Sequence, residues 1–594
     1  MTMTSGSPAT APHPDPLRRA ASYNLADLFE SVAATVPDRE AVVMGDLRLT
    51  YAQLDERSNR LADHLARHGV GEGSTVGLQL ENDPVYIEGM LAAFKLRALP
   101  VNVNHRYVAD ELRYLYTDAA LHTLIVHRRF TPTAAAVARD AGVRNAVVVA
   151  DDGDVAAADL DLPDGQVGHD EAIAAADPHR TFGARSGDDR YVVYTGGTTG
   201  PPKGVLWRHD DIFFAALGGG DPFQFGSWIG DPGQLVDRVL EVPTVSLPTP
   251  PLMHASAHWL ALHQLFAGGR IVLTPYGRFD PVSVLELVDS EQVTTLVVVG
   301  DAMVRPLVEQ LEADRGRYDL GTLLAVGSGG ARLSPHLVER LTALVPHLIV
   351  VDAFGSSETG TLGSSSSTAA GSTGARFTVG PQTAVLGEDL RPVAPGSGQV
   401  GRLARTGHVP LGYLHDPDAT AAAIIEADGR RWVLPGDLAT VEDDGSVTLL
   451  GRGSSCINTG GEKVFPEEVE VACTSHPGVA DAVVVGVPDE RWGERVVAVV
   501  EPTGGLTDVP SLASLQAHCR ERLAGYKVPR RLVVVDHVER SPAGKPDHRW
   551  ARAAALAATD AAAAAANTTT GTTTDIGAVA GQPNGIGEAG SWNA

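Results

Sequence analysis

The chain has 594 residues, of which 43% are hydrophobic and 20% charged, a globular composition too long for one compact core, so a large and a small domain are expected. Its 47 basic and 73 acidic residues give a formal net charge of -26, which repels nucleic acid and anionic lipid and leaves any anionic substrate to be drawn in by a local site. The three cysteines (Cys456, Cys473, Cys519) lie in no metal-ligand spacing and fit a reduced, cytoplasmic setting, residues 1–21 lack the apolar core of a signal peptide, and no apolar run approaches the roughly 20 residues of a membrane span.

After a loose arm over 1–21, Thr50-Tyr51-Ala52-Gln53 has the form of a capping box and predicts a helix with Leu54, Leu61 and Leu65 on one face, stopped at Gly69. Strand and helix patterns then alternate: strand 75–80, helix 84–97, strand 100–103, strand 121–126, helix 133–141, strand 146–149. Further strands are expected at 270–273, 294–299, 323–326 and 348–351. This rhythm predicts α/β layers with mostly parallel sheets. Over 396–450 it changes to short strands and turns, a small β module. A Gly/Ser link at 453–455 leads into mixed strands and helices over 456–555. From 556 the chain runs into Ala, Thr and Gly, expected to be disordered for want of apolar side chains. The domains read as 22–452 and 456–555.

Lysine is scarce: Lys95, Lys203, Lys463, Lys527 and Lys545 are the five in the chain, and arginine supplies the other basic residues. A lysine that persists in such a chain marks a place where a compact ammonium is not replaceable by a planar guanidinium. Lys95 is put down to chance; the other four stand in segments with a reason.

The strongest local signal is Tyr194-Thr195-Gly196-Gly197-Thr198-Thr199-Gly200-Pro201-Pro202-Lys203-Gly204. Glycines turn backbone amides toward an anion, threonines add hydroxyl donors and Lys203 adds charge, the equipment for a polyphosphate. The Gly-Lys-Ser/Thr ending and following helix of a Walker A loop are missing. A surface turn is the bland alternative.

This loop resembles the phosphate signature of the adenylate-forming superfamily, which holds acyl-CoA synthetases, nonribosomal peptide adenylation domains and firefly luciferase; Gly196 replaces its usual serine. The resemblance spans about 24–552. It implies an α/β large domain with layered sheets and a β module, joined to a small mobile α+β domain, and it assigns roles to the motifs that follow. Ser328-Gly329-Gly330-Ala331 resembles the adenine-side turn. Asp352-Ala353-Phe354-Gly355-Ser356-Ser357-Glu358-Thr359 resembles the segment whose aromatic packs on adenine, whose hydroxyl contacts phosphate and whose glutamate holds Mg²⁺. A hard cation wants carboxylate oxygen, so Glu358 is the expected ligand, with Thr195 as a second oxygen. Asp437 is implied on the ribose and Arg452 on the ribose or phosphate. Ser454 stands where the family hinge has Asp or Lys, and Gly460, Gly461 and Glu462 are implied on the coenzyme A side. Asn458 replaces a common lysine, so no role is carried to it. Lys463 and Lys527 fall in family-like segments, facing the thiol carrier or packing structurally. Ser541-Pro542-Ala543-Gly544-Lys545 resembles the signature whose lysine swings in to bridge the attacking carboxylate and the α-phosphate, an electrostatic role. His254 in Pro251-Leu252-Met253-His254 is implied on the acyl side, with a core histidine as the competing reading.

The resemblance therefore implies an ATP-, Mg²⁺- and coenzyme A-dependent ligase acting on a small-molecule carboxylic acid through an acyl-adenylate. The segment 476–494 has the acyl-CoA synthetase form, and no pantetheine attachment site is present, so a built-in carrier is not expected. Trp207-Arg208-His209-Asp210-Asp211-Ile212-Phe213-Phe214 and Cys456–Lys463 resemble an actinobacterial subgroup acting on long-chain and steroid side-chain acids. Small residues at 215–220 would leave room for rings, or form a loop. A ligase loading a separate carrier protein and a non-catalytic nucleotide sensor are the readings kept beside it. Oligomeric state is not legible.

Overall fold

In the computed structural model the described residues are 19–151, 157–195, 201–223, 226–275, 277, 279–331, 333–368, 371–372, 376–452, 456–459, 462–489, 493–507, 509–540 and 546–568. The α/β architecture is as expected. One all-parallel sheet runs in the order Leu99–Asn102, Thr75–Gln79, Thr123–His127, Asn145–Val149, Gln166–Gly168. Its inner strands are near-continuous apolar runs buried along their length, as a sheet covered on both faces requires.

A second sheet starts from the parallel strands Glu40–Met44, Arg270–Val272, Val245–Pro248, Thr295–Val298, Ala325–Gly329 and Ile349–Ser356. It continues through antiparallel Gly360–Thr368 and Arg376–Val379 into the β module, where Asp437–Val441 pairs with Val447–Arg452. A third, small sheet is the hairpin Arg190–Thr195 and Lys203–Arg208, with Gly412–Tyr413 added at its edge.

The capping box forms as read: Thr50 accepts from the Gln53 amide, Gln53 accepts from that of Thr50, and helix Tyr51–Arg67 buries Leu54, Leu61 and Leu65. Two expectations fail locally. The helix at 133–141 is only Thr131–Ala135, started by Pro132 in its first turn; beyond it isolated turns follow, with Val137 and Ala138 N–H both donating to the Ala134 carbonyl. Lys95 is not a chance survivor. Its side chain is fully buried, and Nζ donates to Asp55 Oδ1 at 2.6 Å and Asn59 Oδ1 at 2.6 Å, with Glu30 at 3.7 Å. A tapered ammonium fits that pocket, where a guanidinium fork would not.

In the small domain, the long hairpin Val479–Asp489 and Gly493–Pro502 alternates its two faces. Val484, Val496 and Val500 pack under helices Pro466–Thr474 and Leu512–Arg520, while Val483, Val485, Val497 and Val499 meet the final helix His548–Thr568. That helix corrects the expected boundary at 555. Ala551, Ala555 and Ala558 are core residues, and the helix continues to Thr568 because alanine runs are strong helix formers. Residues 569–594 lie outside the described residues. At the other end, Arg19 of the expected arm is anchored, donating to the Gly233 carbonyl at 2.6 Å and pairing with Asp237 at 2.9 Å.

Candidate active site

The segment expected to hold phosphates connects the antiparallel strands Arg190–Thr195 and Lys203–Arg208. Thr195 and Lys203 face each other across it, and Gly196, Gly197, Thr198, Thr199 and Gly200 lie outside the described residues. Asn102 sets the entry strand. Its amide donates to the carbonyls of Tyr194 and Met253, each at 2.8 Å, and its oxygen accepts from Tyr194 N–H at 2.7 Å. Tyr194 donates to Asp118 at 2.7 Å, and burial next to that carboxylate pushes its phenol well above the ordinary range. Lys203 is half-buried and pairs with Asp416 at 3.0 Å. The Asp416 carboxyl is held below its usual range first by the Ala419 amide and then by Lys203.

The adenine-side and metal-side motifs come together at the carboxyl ends of parallel strands, where open α/β sheets place ligands. Ser328 is paired in register with Asp352, and Gly329 with Ala353. The Ser328 hydroxyl accepts from the Gly300 amide at 3.1 Å. Gly330 and Ala331 continue that turn, Gly330 with φ +81°. Phe354 is half-buried with its ring edge-on to Phe377 at 4.8 Å. After Gly355 the chain turns: Ser356 N–H donates to Thr359 Oγ1 at 3.0 Å, and the Ser357 carbonyl accepts from Trp207 Nε1 at 3.0 Å. Trp207 belongs to the phosphate hairpin, so this bond locks the two motifs together. The turn presents Glu358, half-buried, whose Oε1 accepts from the Tyr413 hydroxyl at 2.8 Å.

Asp437 and Arg452 are cross-strand partners, which brings the two residues expected on the ribose side by side on the backbone. Ser454, Gly460, Gly461 and Lys545 lie outside the described residues; Glu462 starts the strand Glu462–Val464. The small domain nevertheless meets this edge. Glu467, in the first turn of helix Pro466–Thr474, packs on Gly451 so closely that a Cβ there would sit 2.0 Å from its Oε2. Burial first, then Glu470 and Asp437, pushes the Glu467 carboxyl up to about 7, against the opposing pull of His548. Arg305 donates to the Ala480 carbonyl at 2.6 Å, a second link between domains. Lys527 is committed to packing inside the small domain, pairing with Glu468 at 2.6 Å.

On the acyl side, His254 is half-buried at the N-terminus of helix Ala255–Phe266, while the core histidine of that segment is His258. His258 bonds the Leu252 carbonyl and the Tyr191 hydroxyl, and burial lowers its pKa to about 4. The room expected at 215–220 is not there. A Cβ on Gly218, Gly219 or Gly220 would meet His263, Phe214 or Ile229 at 2.5, 2.7 and 2.9 Å, and all three have positive φ. They are glycine because the chain turns with positive φ against the side chains of His263, Phe214 and Ile229.

Among the described residues no group of three or more His, Cys, Asp or Glu side chains is placed to hold a metal. The two residues expected at a cation, Glu358 and Thr195, carry hard oxygen atoms, the donor chemistry that Mg²⁺ takes. The sequence reading missed Tyr413, Asp416 and Asn102, and it quoted Trp207 without its bond to the Ser357 carbonyl. No local pattern marks them, because each acts through a partner distant in the chain.

The AMP-binding enzyme family matches residues 29–414, and the AMP-binding enzyme C-terminal domain matches 468–545. The chain belongs to the AMP-binding enzyme family. It is 45% identical over 540 residues to a 3-oxocholest-4-en-26-oate–CoA ligase of Rhodococcus rhodochrous, covering 89% of this chain and 96% of that protein. It is 40% identical to the medium-chain acyl-CoA ligase Mig of Mycobacterium avium, covering 90% and 98%. The fold is similar to ATP-bound MatB of Rhodopseudomonas palustris (TM-score 0.74, 26% identity, 89% and 98% covered). It is also similar to an anthranilate CoA ligase in complex with anthranoyl-AMP (TM-score 0.75, 21% identity, 91% and 98% covered). This AMP-binding enzyme is an AMP-forming acyl-CoA ligase with ATP and coenzyme A as cosubstrates. No described helix is long and apolar enough to cross a membrane.

Proposed function

We propose that the enzyme activates a medium- or long-chain or steroid side-chain carboxylic acid, in the cytoplasm. The observation that carries the substrate class is the 45% identity, over 89% of the chain, to a ligase named for 3-oxocholest-4-en-26-oate. The same identity to a medium/long-chain-fatty-acid and 3-oxocholest-4-en-26-oate ligase of Mycolicibacterium smegmatis supports the fatty acids. The cytoplasmic setting rests on the sparse, unspaced cysteines.

In the first half-reaction a carboxylate oxygen attacks the α-phosphorus of ATP and pyrophosphate leaves. In the second, the coenzyme A sulfur attacks the acyl carbonyl and AMP leaves. The 195–203 segment and Lys203 hold the phosphates, Ser328, Gly329, Gly330, Ala331, Asp352, Phe354, Gly355 and Ser357 line the adenine and phosphate, and Asp437 and Arg452 hold the ribose. Glu358 and Thr195 would hold Mg²⁺, which neutralises phosphate charge when bound. Lys545 stabilises the charge that builds up as two anions approach. Rotation about Ser454 then exchanges Lys545 for the Gly460–Glu462 side, which admits the thiol, with His254 beside the acyl group.

The test is incubation of the full chain with Mg·ATP, coenzyme A and a panel of fatty, aromatic and steroid side-chain acids, following AMP and thioester by mass spectrometry beside Lys545→Ala. Thioester from fatty or steroid acids that falls by about 10²–10³ in the variant is the expected result. Acyl-AMP without thioester would point to a carrier protein as acceptor. Turnover of aromatic acids alone would overturn the substrate class.

A further inference from the structure

One short segment touches both arms of the phosphate site and belongs to neither. Gly412–Tyr413 pairs antiparallel with the outgoing strand of the phosphate hairpin, Gly412 opposite Leu206 and Tyr413 opposite Val205. The Leu414 amide donates to the Gly204 carbonyl at 2.7 Å and the Leu411 amide to the Leu206 carbonyl at 2.7 Å. From this fixed backbone the Tyr413 hydroxyl donates to Glu358 Oε1 at 2.8 Å, and its ring centre lies 5.4 Å from Lys203 Nζ. Three residues on, Asp416 caps helix Pro417–Ala423 through the Ala419 amide at 2.9 Å and pairs with Lys203.

We propose that Tyr413 is a positioning residue for the Glu358 carboxylate. A glutamate on a turn has three side-chain torsions to sample, and a cation held by few protein oxygens depends on finding that carboxylate already aimed. The hydrogen bond from the phenol to Oε1 restrains the orientation of the carboxylate, which would then meet a cation already aimed. Hydrogen-bond partners behind metal ligands commonly set affinity in this way. The Asp416–Lys203 pair keeps the same segment registered on the phosphate hairpin, so carboxylate and ammonium are set by one piece of backbone. The proposal rests on the reading of Glu358 as the Mg²⁺ ligand.

The test uses the full chain with Mn²⁺ as the probe and a non-hydrolysable ATP analogue, reading free Mn²⁺ by electron paramagnetic resonance. Parent, Glu358→Gln and Tyr413→Phe are compared, together with binding of the analogue in EDTA and the thermal midpoint. Expected is weaker Mn²⁺ binding in both variants, about tenfold in Tyr413→Phe, with metal-free analogue binding and midpoint as in the parent. The Mg²⁺ concentration for half-maximal adenylation then rises by the same factor. If Glu358→Gln weakens Mn²⁺ and Tyr413→Phe does not, the positioning role is overturned and the Glu358 reading stands. If neither variant weakens it, both are overturned. If Tyr413→Phe lowers midpoint, metal-free binding and Mn²⁺ binding together, Tyr413 is a packing residue and the proposal is overturned.

Discussion

Two lysines of this arginine-rich chain illustrate how the same side chain is retained for different physical reasons. Lys95 is sealed among Asp55, Asn59 and Glu30. Removing it leaves buried acceptors and charge uncompensated, which costs about 3–5 kcal/mol. Lys203 is 40% exposed and its pair with Asp416 adds at most about 1 kcal/mol. Lys95→Ala is therefore expected to lower the thermal unfolding midpoint by several degrees. Lys203→Ala is expected to leave that midpoint nearly unchanged while slowing pyrophosphate exchange by about 10²-fold, as loss of a charge-stabilising group does. Calorimetry and an exchange assay on both variants check the contrast; a large midpoint loss in Lys203→Ala would contradict it.

At the scale of elements, the first turn of helix Pro466–Thr474 sits against the strand Val447–Arg452 through Glu467 and Gly451. The Glu467 carboxyl is raised from an ordinary 4.5 to about 7, facing Glu470 on its own helix, Asp437 on the ribose strand and His548 on the last helix. The docked arrangement thus binds a proton that the undocked one releases between those values. Docking is strongest below the lower value, weakens as pH rises through 7, and is flat above. Protection of the 466–470 amides, taken relative to their intrinsic exchange rate at each pH, is expected to be lower at pH 8 than at pH 6, and Glu467→Gln to remove that loss of protection. Elements of this kind show where sequence reading stops. Strands such as 75–80 and 146–149 were found to within one residue because their apolar runs are local, whereas the strand expected at 348–351 runs on to Ser356; the motifs could be picked out because loop chemistry is local. The contacts of Tyr413 with Glu358 and of Asn102 with Tyr194 depend on strand order, which no run of residues announces. The tail was misjudged from its lack of large apolar groups, although alanine spaced at 551, 555 and 558 fills a shallow helix–sheet contact on its own.

Over the whole molecule, the small domain is docked by Arg305 on Ala480 and by Glu467 on Gly451. Arg540, ahead of the Lys545 segment, is half-buried, which lowers its pKa; its Asp481 partner outweighs that and raises it, with smaller help from Glu470 and from Asp301 of the large domain. Asp301 in turn bonds Ser334, next to the adenine-side turn. On the proposed role of Lys545, this docked orientation, which sets Arg540 within the influence of Asp301, is the one that serves adenylation. Arg305→Ala loses a charge-assisted bond worth about 1.5 kcal/mol, roughly tenfold in that orientation. Acid-dependent pyrophosphate exchange is expected to fall by about that factor, while thioester formation from supplied acyl-AMP falls less. Equal losses in both assays would contradict the assignment.

The edge strand Gly412–Tyr413 has a consequence for how the molecule is made. The hairpin it completes, Arg190–Thr195 with Lys203–Arg208, leaves the ribosome some two hundred residues earlier. Until residue 413 emerges, the Glu358 carboxylate lacks its phenol and the hairpin exposes an unpaired edge to the crowded tunnel exit. A nascent chain stalled short of 412 is expected to capture ATP poorly and to recruit chaperones, and one stalled well past that point to do neither. Nucleotide competence would then arrive late in synthesis, as a single event.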